Sequence, residues 1–162
     1  LKKYAHRDSL GEKVSTDLTD SIETVLTLYH NQLKQGIDIV RDYDKLPLVQ
    51  CYQDEISQVW TNLLQNAIQA MHLEGKLTIS AKQEGNFARI SFKDTGPGIE
   101  PDILDRIFDP FFTTKKQGEG SGLGLDIVKK IVEKHNGIIE VDSKMGEGAD
   151  FIIKLPMETE NE

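Results

Sequence analysis

Apolar positions recur with two different periods along this chain, and the switches between them predict its elements. Ile56, Val59, Trp60, Leu63, Leu64, Ala67, Ile68 and Met71 fall at helical spacing, so one face of a helix opened by Asp54 belongs to a core. Gln58, Asn62, Asn66 and Gln69 occupy the opposite face, stacked one turn apart. Ile22, Val25, Leu26, Leu28 and Leu33 predict an earlier helix, capped by Thr19 or Asp20 and ended by Gly36. Leu123, Ile127, Val128, Ile131 and Val132 predict a third, stopped at Asn136-Gly137. Between them lie predicted strands: a short edge strand at 14–18, one at 37–43, and an extended piece reaching Cys51 after the break at Leu46-Pro47. A hairpin follows at 76–84 and 87–94 around Gly85-Asn86, and two closing strands at 138–143 and 149–155 join at Gly146-Glu147-Gly148. Pro101 opens a short helix ending near Phe108, and residues 109–121 read as a turn-rich, mobile stretch. No internal repeat is visible.

Three polar clusters interrupt this pattern. The Asn62/Asn66 pair alone reads as a solvated helix face. Its functional reading is an amide oxygen at Asn66 that ligates magnesium, a hard cation that prefers oxygen and keeps several waters. Asp94 ends a strand and precedes Gly96 and Gly98. This is an ordinary strand-to-helix turn, or a carboxylate accepting an exocyclic base amine, with glycines that let the backbone approach a flat ring. Adenine and guanine both satisfy it. Glycines at 118, 120, 122 and 124 then run into an amphipathic helix, and exposed amides at a helix start bind anions. No Gly-Lys-Ser/Thr follows, so this is not a Walker loop, and the spacing does not suit a dinucleotide fingerprint. His6-Arg7-Asp8 lacks the other motifs of a eukaryotic-type protein kinase. Phe108, Phe111 and Phe112 anchor the stretch between the loops to the core or hinge a lid; Lys115 or Lys116 reaches phosphate or is simply solvated. His6, His30, His72 and His135 join no catalytic or zinc constellation and read as structural or solvent-facing.

Composition narrows the classes. The 162 residues suit one domain with a real core, and 38% hydrophobic with 28% charged residues reads as globular. The net charge of −8 argues against nucleic acid but not against ATP, which loop amides and a metal can hold inside an acidic protein. One cysteine permits no internal disulfide, and a cytoplasmic setting fits. No apolar run reaches membrane-spanning length, so no membrane contact is expected for this stretch.

The ordered set resembles the catalytic, ATP-binding domain of bacterial sensor histidine kinases within the GHKL superfamily. Asn62-Leu-Leu-Gln-Asn66-Ala resembles its N box, Asp94-Thr-Gly96-Pro-Gly98 its first glycine box, Phe108-Asp-Pro-Phe111-Phe112 its F box and Gly120-Ser-Gly122-Leu-Gly124-Leu its second glycine box. Gly146-Glu-Gly148-Ala-Asp-Phe151 and Leu155-Pro156 resemble the closing strand. The resemblance implies a two-layer α/β sandwich: a mixed, mostly antiparallel sheet covered on one face by three helices, with a mobile ATP lid. It implies a catalytic domain over residues 14–156, a remnant of a dimerisation-domain helix at 1–13 and an acidic tail at 157–162. It implies ATP and Mg²⁺ as cofactors, Asn62 and Asn66 as catalytic, and Asn66 as the metal ligand. Nucleotide contacts would come from Asn66, Asp94, Gly96, Gly98, Ile99, Phe108, Phe112, Thr114, Lys115, Gly120, Ser121, Gly122, Leu123, Gly124 and Leu125. The expected partners are a histidine-bearing dimerisation domain and the receiver domain of a response regulator. The stretch itself would be a monomer and its parent a cytoplasmic or membrane-anchored homodimer.

Some positions refine the resemblance. Superfamily ATP hydrolases resemble Glu-x-x-x-Asn where this chain has Asn62, and an amide is a very poor general base, which suits a kinase. Ala149 stands where a threonine is frequent, and Gln69 where some kinases are basic. No histidine precedes an acidic residue and proline, so the stretch is expected to lack its own phosphoacceptor. The alternatives are a serine-kinase module of the anti-sigma-factor type and a degenerate domain.

Overall fold

A computed structural model describes residues 11–110, 112 and 124–157. The chain opens with β1 (Val14–Thr16), which pairs antiparallel with β3 (Val49–Cys51) as a separate two-stranded sheet. Between them lie α1 (Leu18–Leu28), the single turn α2 (His30–Leu33) and β2 (Ile37–Tyr43). The long helix α3 (Gln53–Met71) is followed by β4 (Gly75–Glu84), β5 (Phe87–Asp94) and a 3₁₀ helix (Pro101–Arg106). Then come α4 (Gly124–Lys134), β6 (Ile138–Lys144) and β7 (Gly148–Pro156). The main sheet has the order β2-β4-β5-β7-β6; only β2–β4 is parallel.

Alternation along the central strands sets the two faces of this sheet. Leu77, Ile79 and Ala81 of β4, Ala88, Ile90 and Phe92 of β5, and Phe151, Ile153 and Leu155 of β7 are buried under the helices. Trp60 of α3 stacks on Phe92 with centroids 5.9 Å apart and planes 9° from parallel, which fixes the long helix on the middle of the sheet. Val128 and Val132 of α4 complete that layer. The opposite face is polar. Lys82 pairs with Asp42 and Asp44, while Lys154 bridges Glu84 and Glu140.

Several element boundaries differ from the sequence expectation. The first helix is capped by Asp17, whose Oδ1 accepts the N–H of Thr19 at 3.0 Å and of Asp20 at 3.3 Å. Starting two or three residues earlier than a Thr19 or Asp20 cap brings Leu18 into the helix, where it is buried. That helix also breaks at Tyr29, whose backbone leaves the helical basin while its hydroxyl accepts a 2.8 Å bond from Gln65 of α3. Asp54 is not a cap: Tyr52 holds that position, and Asp54 and Glu55 sit in the first turn, where negative charge suits the helix dipole. The Tyr52 N–H is instead satisfied by Nε2 of the buried His135 at 3.1 Å. Of the other histidines, His30 and His72 are exposed, and His6 lies outside the described residues.

Candidate functional site

The period-two pattern of β5 continues past Ile90 and Phe92 to Asp94, so the aspartate inherits the helix-covered face at the end of its strand. Asp94 is 2% exposed. Its Oδ1 accepts the N–H of Gly96 at 2.8 Å and of Ala149 at 3.3 Å. Its other oxygen has no hydrogen-bond partner among the described residues. Burial pushes the Asp94 carboxyl above the usual carboxylate range, while the two amides pull the other way.

The first glycine loop is clamped onto the β6–β7 hairpin. Gly98 has φ +85°, and a Cβ there would meet the Lys144 carbonyl oxygen at 2.6 Å. Gly146 N–H donates to Pro97 O at 2.8 Å, and Ile99 N–H to Ser143 Oγ at 2.7 Å. The same hydroxyl donates to Gly148 O at 3.3 Å. Gly148, with φ +107°, passes so close to the Asp94 carbonyl that any side chain would collide with it. Thr95 ties the loop to the other side: its Oγ1 accepts the Lys76 N–H at 3.0 Å and lies 3.6 Å from Met71 Sδ.

The polar stripe of α3 runs from this loop to the start of α4. Gly96 packs on the last turn of α3, where a Cβ would lie 3.1 Å from the Ala70 carbonyl oxygen. Two turns earlier, Asn62 Nδ2 donates to the carbonyl of Gly124, the first residue of α4, at 3.0 Å. Asn66 lies midway, half-buried, and its carboxamide makes no hydrogen bond among the described residues. At 1.5 Å per residue, Asn62 and Ala70 are about 12 Å apart along the axis. A buried carboxylate with a spare acceptor thus stands at one end, an unpaired amide in the middle and a helix N-terminus at the other. A neutral oxygen suits Mg²⁺ held chiefly by phosphates and water. No cluster of three or more acidic, histidine or cysteine side chains among the described residues could hold a metal alone.

Phe108 and Phe112 are half-buried against the core, with the Lys129 ammonium 5.8 Å from the Phe108 ring and the Arg106 guanidinium 4.8 Å from that of Phe112. Ile99 and Leu125 also pack on the core. Phe111, Thr114, Lys115, Lys116, Gly120, Ser121, Gly122 and Leu123 lie outside the described residues, and with them the expected lid.

Residues 51–159 match the model of the histidine kinase-, DNA gyrase B- and HSP90-like ATPases. The chain belongs to that family. Among these ATPases it is 46% identical over 114 residues to the sensor histidine kinase ZraS of Escherichia coli K12, covering 70% of this chain and 24% of that protein. It thus spans about a quarter of the length of the curated relatives it matches first. The catalytic domain of histidine kinase ThkA, free of nucleotide, superposes with a TM-score of 0.82 at 34% identity, covering 90% of this chain and 96% of that one. ThkA in complex with the response regulator protein TrrA gives 0.77 at 32% identity, over 90% of this chain and 42% of that one. Full-length ShkA in complex with AMPPNP gives 0.81 at 29% identity, over 91% and 31%. The sheet with helices packed on it is therefore the histidine-kinase catalytic fold, as expected from the boxes.

Among the ATPase residues that sequence reasoning did not single out, Ser143 and Thr95 hold the first glycine loop in place through hydroxyls. A lone serine on a half-exposed strand carries no signal of that role. Ala149, noted for its missing hydroxyl, contributes its backbone N–H instead.

Proposed function

We propose that this ATPase-family chain binds Mg²⁺–ATP between α3, the first glycine loop and the start of α4, and catalyses phosphoryl transfer to a histidine. The observation that carries this reading is the α3 stripe. It places Asn66 between the carboxylate of Asp94, which would accept the adenine amine, and the N-terminus of α4, which would face the phosphates. Asn66 would hold Mg²⁺, which would draw charge from the β- and γ-phosphates. In the transfer, the bond between the γ-phosphorus and the bridging oxygen breaks, ADP leaves, and a P–N bond forms on a histidine of a separate dimerisation domain. From there the phosphoryl would pass to an aspartate of a receiver domain. Asn62 in place of a glutamate leaves no general base for water at that position. An ATP-rich cytoplasm is the setting this chemistry requires; none of the helices among the described residues is long and apolar enough to cross a membrane.

The test is calorimetric titration with AMPPNP, with and without Mg²⁺ and beside GTP, followed by incubation with γ-labelled ATP and a histidine-bearing dimerisation domain. Adenine-selective binding and acid-labile label on the histidine are expected. Label on a serine of a partner would turn the assignment to a serine-kinase module; absence of binding would point to a degenerate site.

A further inference from the structure

The contact between Asn62 and Gly124 has a chemistry of its own. The acceptor is a main-chain carbonyl, so the side chain that meets it must bring a donor, here the Nδ2–H of Asn62. A carboxylate in the same place would set an ionised oxygen about 3 Å from the carbonyl oxygen, acceptor against acceptor. The geometry therefore excludes an ionised carboxylate in this contact and is met by the amide of Asn62, whatever is asked of it in catalysis. A Cβ at Gly124 would stop 4.0 Å from Asn62 Nδ2, an ordinary contact, so the tether does not depend on glycine at that position. In α-helical geometry the same carbonyl also receives the i+4 bond from the Val128 N–H.

We propose that Asn62 is a positioning residue: its carboxamide N–H holds the Gly124 carbonyl, sets the start of α4 against α3, and so orients the first-turn amides of α4 toward the phosphates. The last clause rests on the nucleotide reading above; the tether itself does not. A metal ligand acts only when metal and phosphate are present. A tether acts on the empty protein and on phosphate contacts with or without metal.

Three variants separate these roles: Asn62→Leu removes the donor at similar size without adding charge, Asn62→Asp keeps only acceptors, and Asn62→Gln keeps the donor on a longer arm. The first readout is amide hydrogen exchange at residues 124–128 in the nucleotide-free chain, followed by NMR. Loss of one hydrogen bond of ordinary strength should speed exchange at Val128 by about 3–10-fold in Asn62→Leu and Asn62→Asp, with substantial rescue in Asn62→Gln. The second readout is calorimetric affinity for adenosine, ADP and AMPPNP, each with and without Mg²⁺. Asn62→Leu should bind adenosine like the parent and ADP and AMPPNP about 3–10-fold more weakly, to the same extent in either metal condition. Unchanged Val128 exchange in Asn62→Leu overturns the tether. A loss of affinity confined to Mg²⁺ conditions overturns the positioning role and makes Asn62 a metal ligand. If the parent binds no nucleotide, the nucleotide reading fails, and the exchange data still decide the tether.

Discussion

Replacing Asp94 by asparagine separates two tasks of one side chain. One oxygen serves the fold, accepting the Gly96 and Ala149 amides at 2.8 and 3.3 Å, and an asparagine oxygen can accept both. The other position becomes an NH₂ and would turn a donor toward the adenine amine of the proposed nucleotide, itself a donor. A hydrogen bond to a charged acceptor contributes about 1.5–3 kcal/mol. At roughly 1.4 kcal/mol per tenfold, adenine-nucleotide affinity should fall about 10–150-fold by calorimetry. Stability should move the other way. Burial raises the Asp94 pKa, so the folded protein binds this proton more readily than the unfolded chain does. Stability therefore falls as pH rises through the window between the unfolded and folded values, and at neutral pH the ionised carboxylate weighs against the fold. Asparagine removes that penalty. With about 2–4 °C in Tm per kcal/mol at this size, the empty variant should melt at or a few degrees above the parent in scanning calorimetry. Parental affinity in the variant would remove Asp94 from base recognition. A Tm lowered by more than about 5 °C would show that the two amides need its charge.

Gly148→Ala should cost about 2–4 kcal/mol in urea melts, because a Cβ collides with the Asp94 carbonyl at φ +107°; Gly85→Ala, strained at φ +62° but open around the Cβ, should cost only about 1–2 kcal/mol. Burial lowers the His135 pKa, and its Nε2 accepts the Tyr52 N–H while its Nδ1–H donates to Ile131 O at 2.8 Å. Its contribution to stability should be complete above its ordinary value of 6.5 and lost as pH falls through the lower folded value, and His135→Gln should flatten the Tm–pH curve there. Cys51 is 0% exposed with its thiol pKa raised by burial, so iodoacetamide should label it only in denaturant. Trp60→Ala should cost about 3–5 kcal/mol, since it empties the stack on Phe92.

The elements and much of the site were legible because both rest on local periodicity. Asp94 follows Ile90 and Phe92 at the strand period, and Asn62 and Asn66 share a face opposite Leu63, Leu64 and Ala67. What escaped was decided by residues far apart in the chain. Asp17, Thr19 and Asp20 are all competent caps, and only burial of Leu18 selects the first. Tyr52 stands at the N-cap of α3 without a capping side-chain bond, and its own N–H is taken by His135, 83 residues away. Ser143 reaches Ile99 across 44 residues, a pairing no local pattern announces.

The clamp between the first glycine loop and the closing hairpin also bears on how the protein comes into being. β7, the last strand among the described residues, sits inside the sheet between β5 and β6, and it supplies the Ala149 amide on which the Asp94 carboxylate rests. A chain emerging from the ribosome can form α3 and the β4–β5 hairpin early, yet the surroundings of Asp94 are unfinished until β7 is inserted. Nucleotide capture then depends on the closing hairpin having docked on the rest of the sheet. Because a ligand that binds only the native state stabilises it by RT ln(1 + [L]/Kd), millimolar nucleotide would hold that last strand in place from the moment it arrives.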